Sequence, residues 1–170
     1  MVKEGLTHAK ARYIYYFKRM KRFYVLLIAM LIVTSAKSQI FKPVKWSYAA
    51  KMTSKTTAVV YIKATMDNAW HIYAMNLPEG GPTKTNIAFK QAKDYTLSGK
   101  IIAPKPIVKY DNTFKMNIGY YEKSVIFQQK VEVRSADAVL KGTASFMACD
   151  AVRCLPEETV PFAIPLRKTI

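Results

Sequence analysis

"TAVVYIKATM", Thr57–Met66, alternates along its whole length, with Val60, Ile62, Ala64 and Met66 on one side and Val59, Tyr61, Lys63 and Thr65 on the other. A period of two with β-branched and aromatic residues is the pattern of a half-buried strand, because successive side chains of an extended chain leave on opposite faces. The stretches on either side repeat it. Upstream, Trp46, Tyr48, Ala50 and Met52 share one face of a first strand. Downstream, "SVIFQQKVEV" (124–133) and "GTASFMA" (142–148) also read as strands. Between them lie turn signals: "MDNA", "PEGGPT", "APKP", "YDNT" and "RSAD". No long segment carries a helical stripe, a repeat or a low-complexity tract. Short strands with regular punctuation predict an all-β fold, an immunoglobulin-like β-sandwich.

The charge is uneven. The 170 residues carry a formal net charge of +16, yet residues 1–38 alone hold eight Lys/Arg against the single acid Glu4. The remaining bases are scattered singly (Lys42, Lys45, Lys51, Lys55), so neither a basic patch nor a recognition motif supports nucleic-acid binding. The basic start has another meaning. Lys21 and Arg22 precede an apolar run from Phe23 to Val33, followed by the small residues Ala36 and Ser38. That is the layout of a secretory signal, with cleavage expected between Ser38 and Gln39. The run is shorter than the roughly 20 residues that cross a bilayer. Residues 1–38 are therefore expected to be a basic lead and signal peptide, with Met20 an alternative start, and 39–170 a single exported domain.

Export gives the two cysteines their meaning. "FMACDAVRCLPEE", Phe146–Glu158, holds both, Cys149 and Cys154, separated by "DAVR". Two cysteines and no third, in a compartment that permits disulfides, read as a pair. On a straight strand residues five apart lie about 16 Å from each other and on opposite faces, so the chain must turn between them. A ring this small constrains the unfolded chain by only about 2 kcal/mol. The residues alone leave two uses open, pinning a hairpin or exchanging electrons.

"FMACDAVRCLPEETVPFAIPL" resembles the active-site hairpin of the N-terminal periplasmic domain of the thiol:disulfide interchange protein DsbD. Cys149, Asp150, Cys154, Pro156, Glu157 and Val160 fit the order of that family's motif, with a loop one residue shorter than in its best-known members. "MDNAWHIYAMN" is similar to the strand that sets aromatic residues beside the cysteines, placing His71 and Tyr73 on one face and Trp70 and Ile72 on the other. "YDNTFKMNIGYYEKSVIFQQKVEV" resembles the family's cap loop and the strand after it, with Phe114 at the cap position, and "PEGGPTKT" looks like a loop of some members. The likeness runs from about Val44 to Leu166.

The resemblance implies an immunoglobulin-like fold and a thiol:disulfide oxidoreductase role that needs no cofactor. Electrons would pass from a membrane-embedded thiol reductase through Cys149 and Cys154 to periplasmic thioredoxin-like proteins. This chain carries no multi-span membrane region and no CxxC thioredoxin module, so the donor is expected to be a separate polypeptide. The resemblance also implies that Cys154 joins the partner and Cys149 resolves. Phe114 would shield the sulfurs, with His71, Tyr73, Asp150 and Glu157 as neighbours. Asp150 and Glu157 disfavour a free thiolate, whereas Arg153 favours it. Two other functions compete. The cysteines with His71 and the soft donors Met75, Met116 and Met147 suggest a metal site, but without the four-ligand spacing of zinc, and no metal is expected. The other is a non-enzymatic secreted sandwich that binds at a surface and carries a structural disulfide.

Overall fold

Thr57–Met66 is a strand over its whole length, and its even-numbered positions from Ala58 to Met66 are all buried. The computed structural model describes residues 20, 21, 24 and 41–166. The expected signal segment falls outside the described residues except for Met20, Lys21 and Tyr24, which are helical. Among the described residues no helix is long and apolar enough to cross a membrane. The sandwich is the compact unit that begins at Lys42.

Its eleven strands are, in chain order, β1 Val44–Met52, β2 Thr57–Met66, β3 His71–Tyr73, β4 Asn86–Phe89, β5 Tyr95–Ile102, β6 Ile107–Asp111, β7 Met116–Glu122, β8 Ser124–Val133, β9 Val139–Phe146, β10 Ala148–Cys149 and β11 Glu158–Pro165. They form three antiparallel sheets, β1-β2-β8-β5, β10-β3-β7-β6 and β11-β9-β4. The last two are consecutive along one chain segment, since only Met147 separates β9 from β10. Together they face the first sheet, and the result is an immunoglobulin-like β-sandwich.

The core follows from pleat and register. In the first sheet Ile62 pairs with Phe127 and Ala64 with Val125, which puts four apolar side chains on one face. Ile72, Tyr121, Leu140, Ala144, Phe146, Phe162 and Ile164 come from the opposing sheets into the same cluster. Aromatic contacts tie the layers together: Trp46 to Phe146 at 5.3 Å, Tyr48 to Phe162 at 5.2 Å and Tyr121 to Phe127 at 5.9 Å between ring centroids. Such tilted and edge contacts add to the gain from burial. Among the described residues two buried polar side chains break the apolar pattern, Thr85 and Gln129. Gln129 is 2% exposed, and its Nε2 donates to the carbonyls of Ser98, Gly99 and Lys130. It thereby satisfies the carbonyls where the β5–β8 register shifts between Ser98 and Ile102, at the positive-φ Gly99.

Between the sheet partners of β9 there is room for no side chain at one position. A Cβ on Gly142 would stand 2.4 Å from the Ala88 carbonyl oxygen and 2.5 Å from Cζ of Phe162. The carbonyl belongs to the β4 backbone and cannot swing away as a side chain could. Gly142→Ala is therefore expected to destabilise the domain by about 1–3 kcal/mol, read as a lower denaturant midpoint with an unchanged slope. A midpoint equal to wild type would contradict this account of the β4–β9–β11 sheet.

Candidate functional site

Where β9 gives way to β10 the chain changes the side it serves. Ala148 faces the sandwich core, and Cys149, the next residue, leaves on the outer face of the β10-β3-β7-β6 sheet. There Cys149 joins a second, smaller apolar cluster with Tyr73, Ile118 and Tyr120. Pairing of β10 with β3 sets Cys149 opposite His71, and pairing of β3 with β7 sets His71 opposite Glu122. Cross-strand partners in an antiparallel ladder point the same way. Cys149, His71 and Glu122 thus form one row across three adjacent strands.

Cys149 and Cys154 are joined by a disulfide, with Cα atoms 4.0 Å apart. The turn between them is made by Asp150. Its Oδ1 accepts from the backbone N–H of Val152 and of Arg153, both at 2.8 Å, while its own N–H donates to the Arg153 carbonyl at 2.9 Å. A short side-chain acceptor that reaches backbone donors two and three residues on is the mechanism by which Asp makes tight turns. On the far side of the bridge the Leu155 N–H donates to the Ala148 carbonyl at 2.9 Å. The hairpin is therefore hydrogen-bonded on both sides of the disulfide.

The two sulfurs belong to residues in opposite environments. Cys149 is 1% exposed, while Cys154 is exposed. Both border a cleft of about 550 Å³. Its opposite wall is the β6–β7 turn, built the same way as the hairpin: Asp111 Oδ1 accepts from the N–H groups of Thr113 at 2.7 Å and Phe114 at 3.1 Å. That turn holds Phe114, half-buried, packed on the cluster of Tyr73, Ile118, Tyr120 and Cys149.

The charges around the cleft are mixed. Asp111, Glu122 and Asp150 supply carboxylates, and Lys109 and Arg153 supply cations. The two backbone N–H bonds, from Val152 and then Arg153, hold the Asp150 carboxyl below its usual range. Burial pushes the His71 imidazolium below the ordinary histidine value, and this outweighs Glu122, Asp150 and Asp111, which pull it up. Burial raises the Tyr73 phenol, with Asp111 adding to it. The His71 ring sits between two tyrosines, 5.3 Å from Tyr73 edge-on and 5.1 Å from Tyr120. Arg153 lies with its guanidinium 5.8 Å from the Trp70 ring centre and its Nε 3.9 Å from Asp150.

The structure brings Cys149, Cys154, Phe114, His71, Tyr73 and Asp150 to one cleft. It leaves Glu157 exposed and off the cleft lining, since the chain departs after Leu155 toward β11. It adds Glu122, Lys109, Asp111 and Tyr120, which sequence reading did not single out. Glu122 and Tyr120 had a signal, because both share a strand face with Ile118 at a spacing of two. Lys109 had none, as its place depends on β6 pairing with β7. Met116 and Met147 pack on the cluster around Cys149, and Met75 packs on the main core. Among the described residues no three His, Cys, Asp or Glu side chains converge as metal ligands.

Comparison with known proteins bears on this cleft. The sequence pattern of the family described as thiol:disulfide interchange protein DsbD, N-terminal, matches residues 38–165. Among solved structures, the N-terminal periplasmic domain of ScsB from Proteus mirabilis is similar with a TM-score of 0.57 and 18% identity, covering 76% of this chain and 49% of that one. This chain thus spans about half the length of that structure. The DsbD N-terminal domain from Neisseria meningitidis in the reduced form has a TM-score of 0.49 and 15% identity, over 71% of this chain and 83% of that one. The complex between the DsbD and PilB N-terminal domains from the same organism gives 0.48 and 14%, over 74% and 88%. No curated protein matches.

The packing of Phe114 on the Cys149 cluster generates a prediction. Exchange rates depend on access as well as on thiolate fraction. Phe114→Ala is expected to speed reduction of the disulfide by dithiothreitol severalfold, with a stability loss well under the roughly 3–5 kcal/mol of a buried Phe truncation. Unchanged reduction kinetics together with a large drop in denaturant midpoint would mean that Phe114 is core and not cap.

Proposed function

This chain belongs to the DsbD N-terminal family, and from that premise we propose that it is an exported thiol-disulfide interchange domain. It takes electrons from a separate membrane-embedded thiol reductase and passes them to periplasmic thioredoxin-like proteins. The observation that carries this reading is the disulfide between a buried and an exposed cysteine on the outer face of a sheet, at the mouth of a cleft. A bridge there spans no layer of the sandwich. Its hairpin is already held by backbone hydrogen bonds on either side, so a pinning role has little left to do.

The environments of the two sulfurs order the steps. A thiolate attacks a disulfide along an open path, and Cys154 offers that path. When the domain delivers electrons, the Cys154 thiolate attacks the partner's disulfide, forms a mixed disulfide and releases one partner thiolate. Cys149 then attacks Cys154, re-forms the bridge and releases the second partner sulfur. Two electrons leave the pair and the partner gains a dithiol. The return half reverses this, with a thiolate of the reductase attacking Cys154. Asp150, next to Cys149 in the hairpin, disfavours a standing thiolate, which keeps the reduced pair from reacting with every oxidant it meets. Phe114 adds a steric limit, to be displaced by a docking partner. Residues 1–38 act as the export signal, supported by the basic start, apolar run and small residues before Gln39.

Cys149→Ser is expected to accumulate a mixed disulfide through Cys154 with a thioredoxin-like protein in the native host. The trapped chain would be recovered outside the cytoplasmic membrane and begin near Gln39. Non-reducing electrophoresis and mass spectrometry of both partners read this. Adducts with no exported protein from either single-cysteine variant, or a cytoplasmic chain that keeps Met1 or Met20, would leave a plain disulfide-bridged sandwich.

A further inference from the structure

Cys149 poses a proton problem that the relay leaves unsolved. It must become a thiolate to close the ring, yet it is 1% exposed, and a buried thiol resists ionisation. Bulk water is a poor acceptor at such a site. The residue directly across the ladder from Cys149 is His71, on the same face and with Cβ about 5 Å away by ladder geometry. Directly across from His71 on its other side stands Glu122. Thiol, imidazole and carboxylate therefore lie in sequence along one row of the sheet.

We propose that His71 accepts the proton of the Cys149 thiol in the ring-closing step and that Glu122 positions His71 and stabilises its charged form. The proposal rests on the relay reading given above. In the step, the Cys149 S–H bond breaks and its proton passes to the imidazole. The freed electron pair forms the Cys149–Cys154 bond. The bond from Cys154 to the partner sulfur breaks, and that sulfur leaves with its electron pair and takes up the proton. The oxidant is the partner's own disulfide.

The other titratable groups facing the cleft are less suited. Asp150 comes from the hairpin itself, but its Oδ1 is engaged by two backbone N–H groups, and a carboxylate held below its usual range is a weak base. Glu122 is two strands from Cys149, about 10 Å, with His71 in between. Asp111 lies on the far wall, and its Oδ1 accepts from Thr113 and Phe114. Lys109 of β6 stands over the Tyr120 ring at 5.6 Å, and Arg153 over Trp70; both are cations with no acceptor. Tyr73 and Tyr120 flank the imidazole through their rings, and burial holds the Tyr73 phenol above its usual range. His71 alone combines adjacency with a free base form near neutrality, which its burial favours. A base matched to the operating pH is the efficient one.

The test separates two phases with a small probe. The reduced mature protein is mixed with excess cystamine, acid-quenched at intervals and weighed by mass spectrometry. The first phase is adduct formation at Cys154, and the second is ring closure. In wild type the closure rate should rise through an inflection below the ordinary histidine value of about 6.5. In His71→Gln closure should slow about 10²-fold at neutral pH and lose that inflection, while adduct formation changes by less than about twofold. Glu122→Gln should keep the inflection but move it to lower pH, because the carboxylate stabilises the imidazolium. His71→Asn serves as a second variant, and circular dichroism checks the folding of each. Closure at the wild-type rate and pH profile in both His71 variants would overturn the proposal, as would equal slowing of both phases. A folded wild-type protein that forms no adduct or never closes the ring overturns the relay reading itself, a result distinct from loss of closure confined to the variants.

Discussion

The alternation of Ala148 and Cys149 across the pleat of β10 is the constraint on which the site depends. One residue sends its side chain into the sandwich and the next sends it out. A shift of register by one position would bury the disulfide in the core and expose Ala148. The register is held by neighbours that are not negotiable. Phe146 is locked against Trp46 on one side of Met147, and Ala148 pairs with the wholly buried Ile72 on the other. Core packing thus fixes where the sulfur appears, although the sulfur itself takes no part in the main core.

Scaffold and chemistry are separated as a consequence. The apolar cluster between the sheets draws on residues from Val44 to Leu166, whereas the bridge closes a ring with a sequence separation of 5. The chain-entropy contribution of such a ring is about 2 kcal/mol, and the hairpin's own hydrogen bonds supply its geometry. A fold held in this way is expected to persist when the bridge is reduced. The small cluster of Tyr73, Ile118 and Tyr120 gives the cleft a floor, and two Asp-capped turns give it walls. The cysteines thus sit on a hairpin paired to the sheet, and Phe114 sits on the turn between β6 and β7.

Much of this was legible in the residues. β2 and β8 coincide with the alternating stretches 57–66 and 124–133, because a strand with one buried face writes its period directly into the sequence. His71 and Tyr73 share a face, as their spacing of two requires. The turn between the cysteines was forced by their spacing. Where sequence failed, the missing information was non-local. β5 bends at a bulge stitched by Gln129, and β6 is an edge strand with Ile107, Val108 and Tyr110 exposed, so neither shows clean alternation. Lys109 reaches the cleft through the pairing of β6 with β7, which no local pattern encodes. Glu157 is near Cys154 in sequence but away from the cleft in space, since the chain leaves the hairpin there.

The central claim is that the disulfide is a reactive group mounted on a fold that stands without it. Its most direct test is denaturant unfolding of the oxidised and the reduced domain, followed by far- and near-ultraviolet circular dichroism. The account predicts that mild reductant opens the Cys149–Cys154 bond in the folded state, that both spectra persist, and that the reduced form loses no more than about 2 kcal/mol. A reduced domain that loses its near-ultraviolet signal, or a bond that opens only once the sandwich has unfolded, would contradict it.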